Sequence, residues 1–141
     1  EWGLNIFGNI KNSEQTHMNA VENLLIQYDI AYTILPEGEF QDEGLQSFYN
    51  QFVTDGSLSQ INALTIGATI EDLDIVDLQN FIDVTTNEDL ISAFENLKCG
   101  SRNHLRSFVK NIENRGSTYA PQFLTIEEYT EITTSDNEQC N

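Results

Sequence analysis

Apolar residues recur at the spacing of an amphipathic helix along three long stretches of the chain. The first covers roughly residues 4–30, the second about 59–82 and the third about 87–114. A shorter helix is predicted over 45–57, after a connector at 33–44 that contains one proline and two glycines. No stretch alternates convincingly between apolar and polar residues as a half-buried strand does, so the pattern predicts an all-α protein.

The length of 141 residues is that of one domain with a sizeable core. Gly116 is placed to end the third long helix. The residues beyond it contain Pro121 and many polar side chains, with room for one short turn of helix. We therefore predict a helical bundle over residues 1–115 and a C-terminal tail over 116–141 that packs on the bundle or extends from it.

Several ionisable residues interrupt the apolar faces of the long helices. On a helical wheel of the first helix, Glu14 lies in the middle of the apolar stripe and His17 lies about 60° to one side. Glu71 is flanked by apolar residues on the second helix, and Asp74 follows it by about one turn. His104 borders the apolar stripe of the third helix, so both histidines of the chain belong to this set.

Such groups need a partner, because burying an unpaired ionised carboxylate costs several kcal/mol. A metal ion shared between helices would neutralise all of them at once. Glu14 and His17 form a Glu-x-x-His unit, whose two side chains share a helix face and can bind the same metal or neighbouring metals. Two alternatives stay open: a buried histidine can be an ordinary hydrogen-bonded core residue, and Glu14 can pair with Arg102 or Arg106.

Charge and cysteine content bear on partners and location. The chain has 23 acidic and 6 basic residues, a net charge of −17, which disfavours binding to nucleic acid. No apolar run of 18 or more residues is present, so we expect no membrane insertion. Cys99 and Cys140 either stay reduced or form a bridge between the tail and the body in an oxidising compartment. The acidity and the start at Glu1 instead of methionine favour an extracellular or cell-surface protein.

Other site types have less support. The acidic run at 71–77 lacks the glycine and the final glutamate of a calcium-binding EF-hand loop. The sequence also has no Gly-x-Ser-x-Gly turn for a nucleophile and no glycine-rich phosphate loop.

Four segments occur in order along the chain: "SEQTHMNAVENLL", "GATIEDLDIVDLQ", "GSRNHLRSFV" and "GSTYAPQFLTIEEY". With these segments the chain resembles the DUF2202 family of ferritin-like domains, from "EWGLNIFGNI" to about Tyr129. The resemblance implies a ferritin-like four-helix bundle, a fold whose members bind two irons and react with oxygen or peroxide. It also implies that four residues are metal ligands: Glu14, His17, Glu71 and His104.

The chain departs from that pattern in two places. A standard di-iron bundle has a glutamate three residues before the last histidine, where this chain has Ser101, and Asp74 is a candidate substitute. The family's first helix, with its own glutamate, should precede Glu1 and is absent from this chain. A bundle without that helix would expose an apolar groove along the helices at 4–30 and 59–82. An upstream segment or a neighbouring copy of the chain would then cover the groove.

Two functions therefore follow from the sequence. The first is a metal-binding ferritin-like protein of the di-iron oxidoreductase type, acting on oxygen or peroxide. Iron is the expected metal, and manganese, copper and zinc are alternatives that suit the same ligands. The second is an extracellular self-assembling subunit of a filament or matrix, in which a metal is only structural or is absent. Whether the protein is an enzyme stays open at this stage.

Overall fold

The computed structural model describes residues 2–140, which form five α-helices and no strand. The all-α prediction is therefore confirmed, and the helices form a bundle with an additional short helix. None of the helices in the described part of the chain is long and apolar enough to cross a membrane. The helices are α1 (Asn5–Gln27), α2 (Glu43–Gly56), α3 (Gln60–Val84), α4 (Glu88–Glu113) and α5 (Ile126–Thr134).

Side-chain caps set where most of these helices begin. The carboxylate of Asp42 accepts a hydrogen bond from a backbone N–H in the first turn of α2, and Ser59 does the same for α3. Asn87 caps α4 by accepting from two backbone N–H groups. These contacts satisfy donors that a helix start leaves unpaired. The first helix ends at Gln27, slightly earlier than the apolar pattern predicted, and Asp29 beyond it adopts a positive φ of 52°.

Helix α4 is the central element of the bundle. It packs against α1, α3 and α5, and α2 packs against α3. At Gly67 of α3 a Cβ atom would lie 2.3 Å from the ring of Phe108, so the glycine lets that ring lie directly on α3. The arrangement brings the middle parts of α1, α3 and α4 together. The buried apolar core consists of Leu64, Ala68, Ile75, Leu105, Phe108, Val109, Ile112, Tyr119, Leu124 and Ile132.

The C-terminal residues hold more structure than the sequence pattern predicted. Helix α5 begins with a capping box, in which Thr125 and Glu128 satisfy each other's backbone N–H groups. Tyr119, Leu124 and Ile132 from this part of the chain belong to the core. The tail is therefore packed on the bundle over most of its length.

Asp72 of α3 fixes the segment that leads into α5. Its side chain is fully buried and accepts hydrogen bonds from the Tyr119 hydroxyl at 2.8 Å and from the backbone N–H groups of Gln122 at 2.6 Å and Leu124 at 2.7 Å. Several donors around one carboxylate compensate its loss of hydration. The residue is part of the acidic run at 71–77, where it has this structural role.

The last residues are held on α4 by a disulfide and by arginines. Cys99 and Cys140 are bonded to each other across a sequence separation of 41 residues. Arg102 donates to the Glu138 carboxylate through Nε at 2.8 Å, and Arg106 donates to it at 2.7 Å. The hydrogen bonds from Arg102 and Arg106 lower the pKa of Glu138 to about 2. The alternative that one of these arginines pairs with Glu14 is therefore wrong.

Candidate metal centre

Three helices each place one ionisable side chain at the centre of the bundle. Glu14 comes from α1, Glu71 from α3 and His104 from α4, and one possible ligand atom of each lies within 4.8 Å of the others. The side chain of Glu71 is only 4% exposed and that of His104 is 11% exposed. The Glu14 side chain is 45% exposed, so it forms the side of the cluster that solvent reaches.

The atoms at the centre of this cluster are close to one another but poorly paired. Nδ1 of His104 lies 2.9 Å from Oε1 of Glu14 and 3.3 Å from Oε1 of Glu71. However, Nδ1 of His104, Oε1 of Glu14 and Oε2 of Glu71 are all buried without a well-directed hydrogen bond. Buried polar atoms in native proteins nearly always have a partner. Two carboxylates and an imidazole with unsatisfied atoms therefore fit a bound cation.

His17 and Asp74 lie at the edge of this group. Nδ1 of His17 is 3.1 Å from Oε2 of Glu14, and its ring centroid is 5.7 Å from that of His104. Glu14 thus contacts one histidine with each of its oxygens. Asp74 is half-buried, and the charges of Glu71 and Glu14 act on its carboxylate. The ligand atoms of His17 and Asp74 are not among the three that converge.

The pKa values show how strongly the charges interact. Burial opposes ionisation of Glu14, but contacts with His104 and His17 outweigh it and lower its pKa to about 2. Burial also disfavours the charged form of His104, yet Glu14 and Glu71 raise its pKa to about 9. Desolvation raises the pKa of Glu71. Desolvation, followed by the charges of Glu71 and Glu14, raises the pKa of Asp74 to about 7. Burial and the neighbouring charges therefore disfavour the ionised forms of Glu71 and Asp74, which a bound cation would favour.

The sequence did not indicate the residues that support the ligands. Oγ of Ser13 lies 2.9 Å from Nε2 of His104. Gly100 of α4 faces His17, and a Cβ atom at this position would lie 2.6 Å from Cε1 and Nε2 of that ring. Ser101, where a standard di-iron bundle has glutamate, is 3% exposed. A glycine or serine in a helix gives no periodic signal. The contacts of Ser13 and Gly100 also depend on how α1 packs on α4, which the sequence pattern does not show.

The class defined by this geometry is an all-helical bundle with a Glu–Glu–His cluster where three helices meet. The chain belongs to the family described as "Uncharacterized protein domain (DUF2202)", which matches residues 1–136. The predicted membership of the DUF2202 family is thereby confirmed.

A curated relative and a solved structure extend this comparison. The chain is 47% identical to the uncharacterized protein MJ0754 of Methanocaldococcus jannaschii, over 99% of this chain and 76% of that protein. The crystal structure of hypothetical protein MJ0754 from Methanococcus jannaschii has a TM-score of 0.94 at 47% identity, covering 97% of this chain and 79% of that one. These likenesses establish the family and the fold, and neither description states an activity.

Proposed function

We propose that this protein binds a transition metal through Glu14, Glu71 and His104. Two observations carry the proposal: one possible ligand atom from each residue converges within 4.8 Å, and each residue also has a buried side-chain atom without a hydrogen bond. A metal-free cluster keeps two carboxylates close together in a poorly hydrated place, which is unfavourable. A divalent cation would remove that repulsion and give each unsatisfied atom a partner.

Iron is the metal we propose, with manganese, zinc or copper as competitors for the same ligands. Carboxylate and imidazole suit all of these ions, and the affinity order alone does not select one. His17 lies against the second oxygen of Glu14. Glu14 could therefore bridge to a second ion bound by His17, and Asp74 is the carboxylate we propose to complete that site. This arrangement is the di-iron type that the family resemblance implied.

An oxidoreductase acting on oxygen or peroxide is the activity we propose for such a centre. Iron would supply the redox chemistry when it is bound. The residues of the chain would hold the metal, and the exposed side of Glu14 would admit a small molecule from solvent. Burial of Glu71 and His104 would limit water at the opposite side of the centre.

Metal binding by wild type and a Glu71→Gln variant tests the proposal. The protein is stripped with a chelator, and Fe(II) without oxygen, Mn(II) and Zn(II) are titrated by calorimetry. Wild type should bind with defined stoichiometry, and Glu71→Gln should weaken binding by at least about 100-fold because it removes a buried anionic ligand. Glu39→Gln, at an exposed position of the connector, is the matched control and should bind like wild type. The proposed centre would be refuted if wild type bound no metal, or if Glu71→Gln bound metal as tightly as wild type and Glu39→Gln.

A second candidate function rests on exposed apolar side chains. Met18 and Ile26 of α1, with Leu45, Phe48 and Val53 of α2, are between 45% and 60% exposed. Exposed apolar area of this kind is typical of interaction surfaces. We propose that these residues are covered by self-association or by an upstream segment, as in a filament or matrix subunit. An extracellular or cell-surface location is proposed with it, because disulfides such as Cys99–Cys140 persist in oxidising compartments. A monomer in light scattering at high protein concentration would contradict self-association.

A further inference from the structure

We propose that Ser13 is a positioning residue for the metal centre: its hydroxyl accepts the Nε2 proton of His104 and thereby directs Nδ1 of that ring to the metal. This inference rests on the proposed metal-binding function and adds to it a residue that no sequence motif marks. The hydroxyl is part of α1, whereas the imidazole it contacts is part of α4.

The two ring nitrogens of His104 lie in different surroundings. Nε2 is 2.9 Å from the Ser13 hydroxyl, and Nδ1 faces the carboxylates of Glu14 and Glu71. A neutral imidazole has one N–H and one lone pair, and the partner of one nitrogen determines the role of the other. With a cation between Nδ1 and the carboxylates, Nδ1 must present its lone pair. The single ring proton is then on Nε2 and is donated to Oγ of Ser13.

The same contact suits the ring before the metal binds. If Nδ1 carries a proton, it faces the two carboxylates, and Nε2–H still donates to Ser13. The ring therefore has no need to rotate or to exchange partners when a cation replaces the Nδ1 proton. A ligand that is already oriented loses less conformational freedom on binding, and outer partners of metal-bound histidines typically contribute 10–100-fold in affinity.

The position of Ser13 in the chain also matters. It directly precedes Glu14, so one short piece of α1 supplies both a ligand and the acceptor that orients a ligand of α4. Loss of the hydroxyl would leave Nε2–H half-buried without its partner. The ring could then turn and present the other nitrogen to the centre.

The test compares wild type with Ser13→Ala and Ser13→Thr, using Zn(II) as a redox-silent probe. Competition with a coloured chelator should show zinc affinity reduced by roughly 10–100-fold in Ser13→Ala. Ser13→Thr, which keeps the hydroxyl, should restore affinity to within about threefold of wild type. Ser47→Ala, at an exposed position of α2, is the control for loss of a serine hydroxyl and should not change affinity.

Long-range ¹H–¹⁵N spectra of zinc-loaded wild type provide a readout that needs no variant. We expect the His104 ring to show a protonated Nε2 and a zinc-bound Nδ1. Zinc on Nε2, or unchanged affinity in Ser13→Ala, would overturn the role of Ser13 while leaving the metal centre intact. If wild type binds neither zinc nor iron, the proposed function and this inference both fall.

Discussion

The buried carboxylate of Glu71 is unfavourable for folding but is suited to metal binding. Its side chain is almost completely buried, and desolvation raises its pKa. A leucine or glutamine there would suit a metal-free core better, because an acid is stable in such a place only when it is protonated or paired with a cation. The imidazole of His104 supplies part of that compensation, and the proposed metal ion would supply the rest.

Gly100 is the residue whose substitution should most directly disturb His17. In Gly100→Ala the new methyl group would lie 2.6 Å from the ring, so the ring or α1 has to move. We expect a loss of about 1–3 kcal/mol in the free energy of unfolding, measured by urea denaturation. Metal affinity should fall as well if His17 is a ligand.

Gly8→Ala is the matched control for that substitution. It lies inside α1, and a Cβ atom there meets nothing within 4 Å. The same chemical change should therefore stabilise the protein by about 0.5–1 kcal/mol, because alanine favours helix over glycine. Equal effects of the two substitutions would contradict the close approach of His17 to α4.

Because the pKa of Asp74 is raised, we expect the stability of the metal-free protein to depend on pH. Its pKa is about 7 in the folded state, against 3.8 for an unperturbed aspartate. Between these pH values the folded state therefore binds more protons than the unfolded state. The free energy of unfolding should then fall as pH rises from about 4 to 7, by on the order of 2 kcal/mol after allowance for partial exposure. Above pH 7 this contribution should stay constant.

Asp74→Asn isolates that contribution from those of the other acids. Urea midpoints measured in a chelator from pH 4 to 8 should fall less steeply with pH than those of wild type. Asp83→Asn, at an exposed position of the same helix, should keep the wild-type slope, because Asp83 is not among the charges that act on Asp74. If Asp74→Asn and wild type have parallel profiles, the pKa of Asp74 is not raised by burial and by the charges of Glu71 and Glu14.

At the level of helices, the sequence predicts those features that depend on one helix alone: its approximate extent and the residues that face inward. The periods of α1, α3 and α4 follow from local spacing, and the wheel of each helix identified Glu14, Glu71 and His104 as inward-facing polar residues. The contacts of Ser13 and Gly100 depend on how α1 is rotated and shifted against α4. That relation is set by packing between distant parts of the chain, which a single helical pattern does not contain.

Helix α5 was only partly predictable for a related reason. Most of its side chains are polar, so its sequence has only a weak apolar pattern, and in the structure it packs against α4. Thr125 and Glu128 form a capping box that can be recognised in "TIEE". Asp72, which holds the preceding segment, is hidden in an acidic run, and its partners are mainly backbone N–H groups 50 or more residues away.

Asp72→Asn should therefore destabilise the attachment of α5. Asparagine offers one acceptor oxygen in place of two and would place its NH₂ group against the N–H donors of residues 122–124. Because hydrogen bonds to a buried charge are strong, we expect a loss of at least about 3 kcal/mol in the free energy of unfolding. Hydrogen exchange should show α5 less protected than α3. Asp83→Asn is again the control on an exposed part of α3. Wild-type protection of α5 in Asp72→Asn would contradict the proposed role of Asp72 in attaching α5.

For the whole molecule, the excess of acids gives the few bases specific roles. Lys98, Arg102 and Arg106 are three of the six cations of the chain, and all three lie half-buried or buried on α4. At intervals of four residues they share one side of α4, opposite its apolar stripe. In the structure the C-terminal residues cover that side, and Arg102 and Arg106 attach them through Glu138. Lys98 instead contacts Gln79 and Glu95.

The disulfide should make the largest single contribution to this attachment. It closes a loop of 41 residues between α4 and the end of the chain. A chain-entropy argument gives about 4 kcal/mol for a loop of that length, mainly because the cross-link restricts the unfolded chain. We expect Cys140→Ser, or wild type treated with a reductant, to lose about 3–4 kcal/mol in urea denaturation.

A variant without either cysteine distinguishes loss of the cross-link from a general effect of the reductant. The double variant Cys99→Ser with Cys140→Ser should unfold at the same urea concentration with and without reductant, since it has no bond to break. Glu138 should still hold its arginines in that variant, so the helical content by circular dichroism should remain that of wild type. Wild type that keeps its full stability after complete reduction would show that the bond between Cys99 and Cys140 does not restrain the tail in solution.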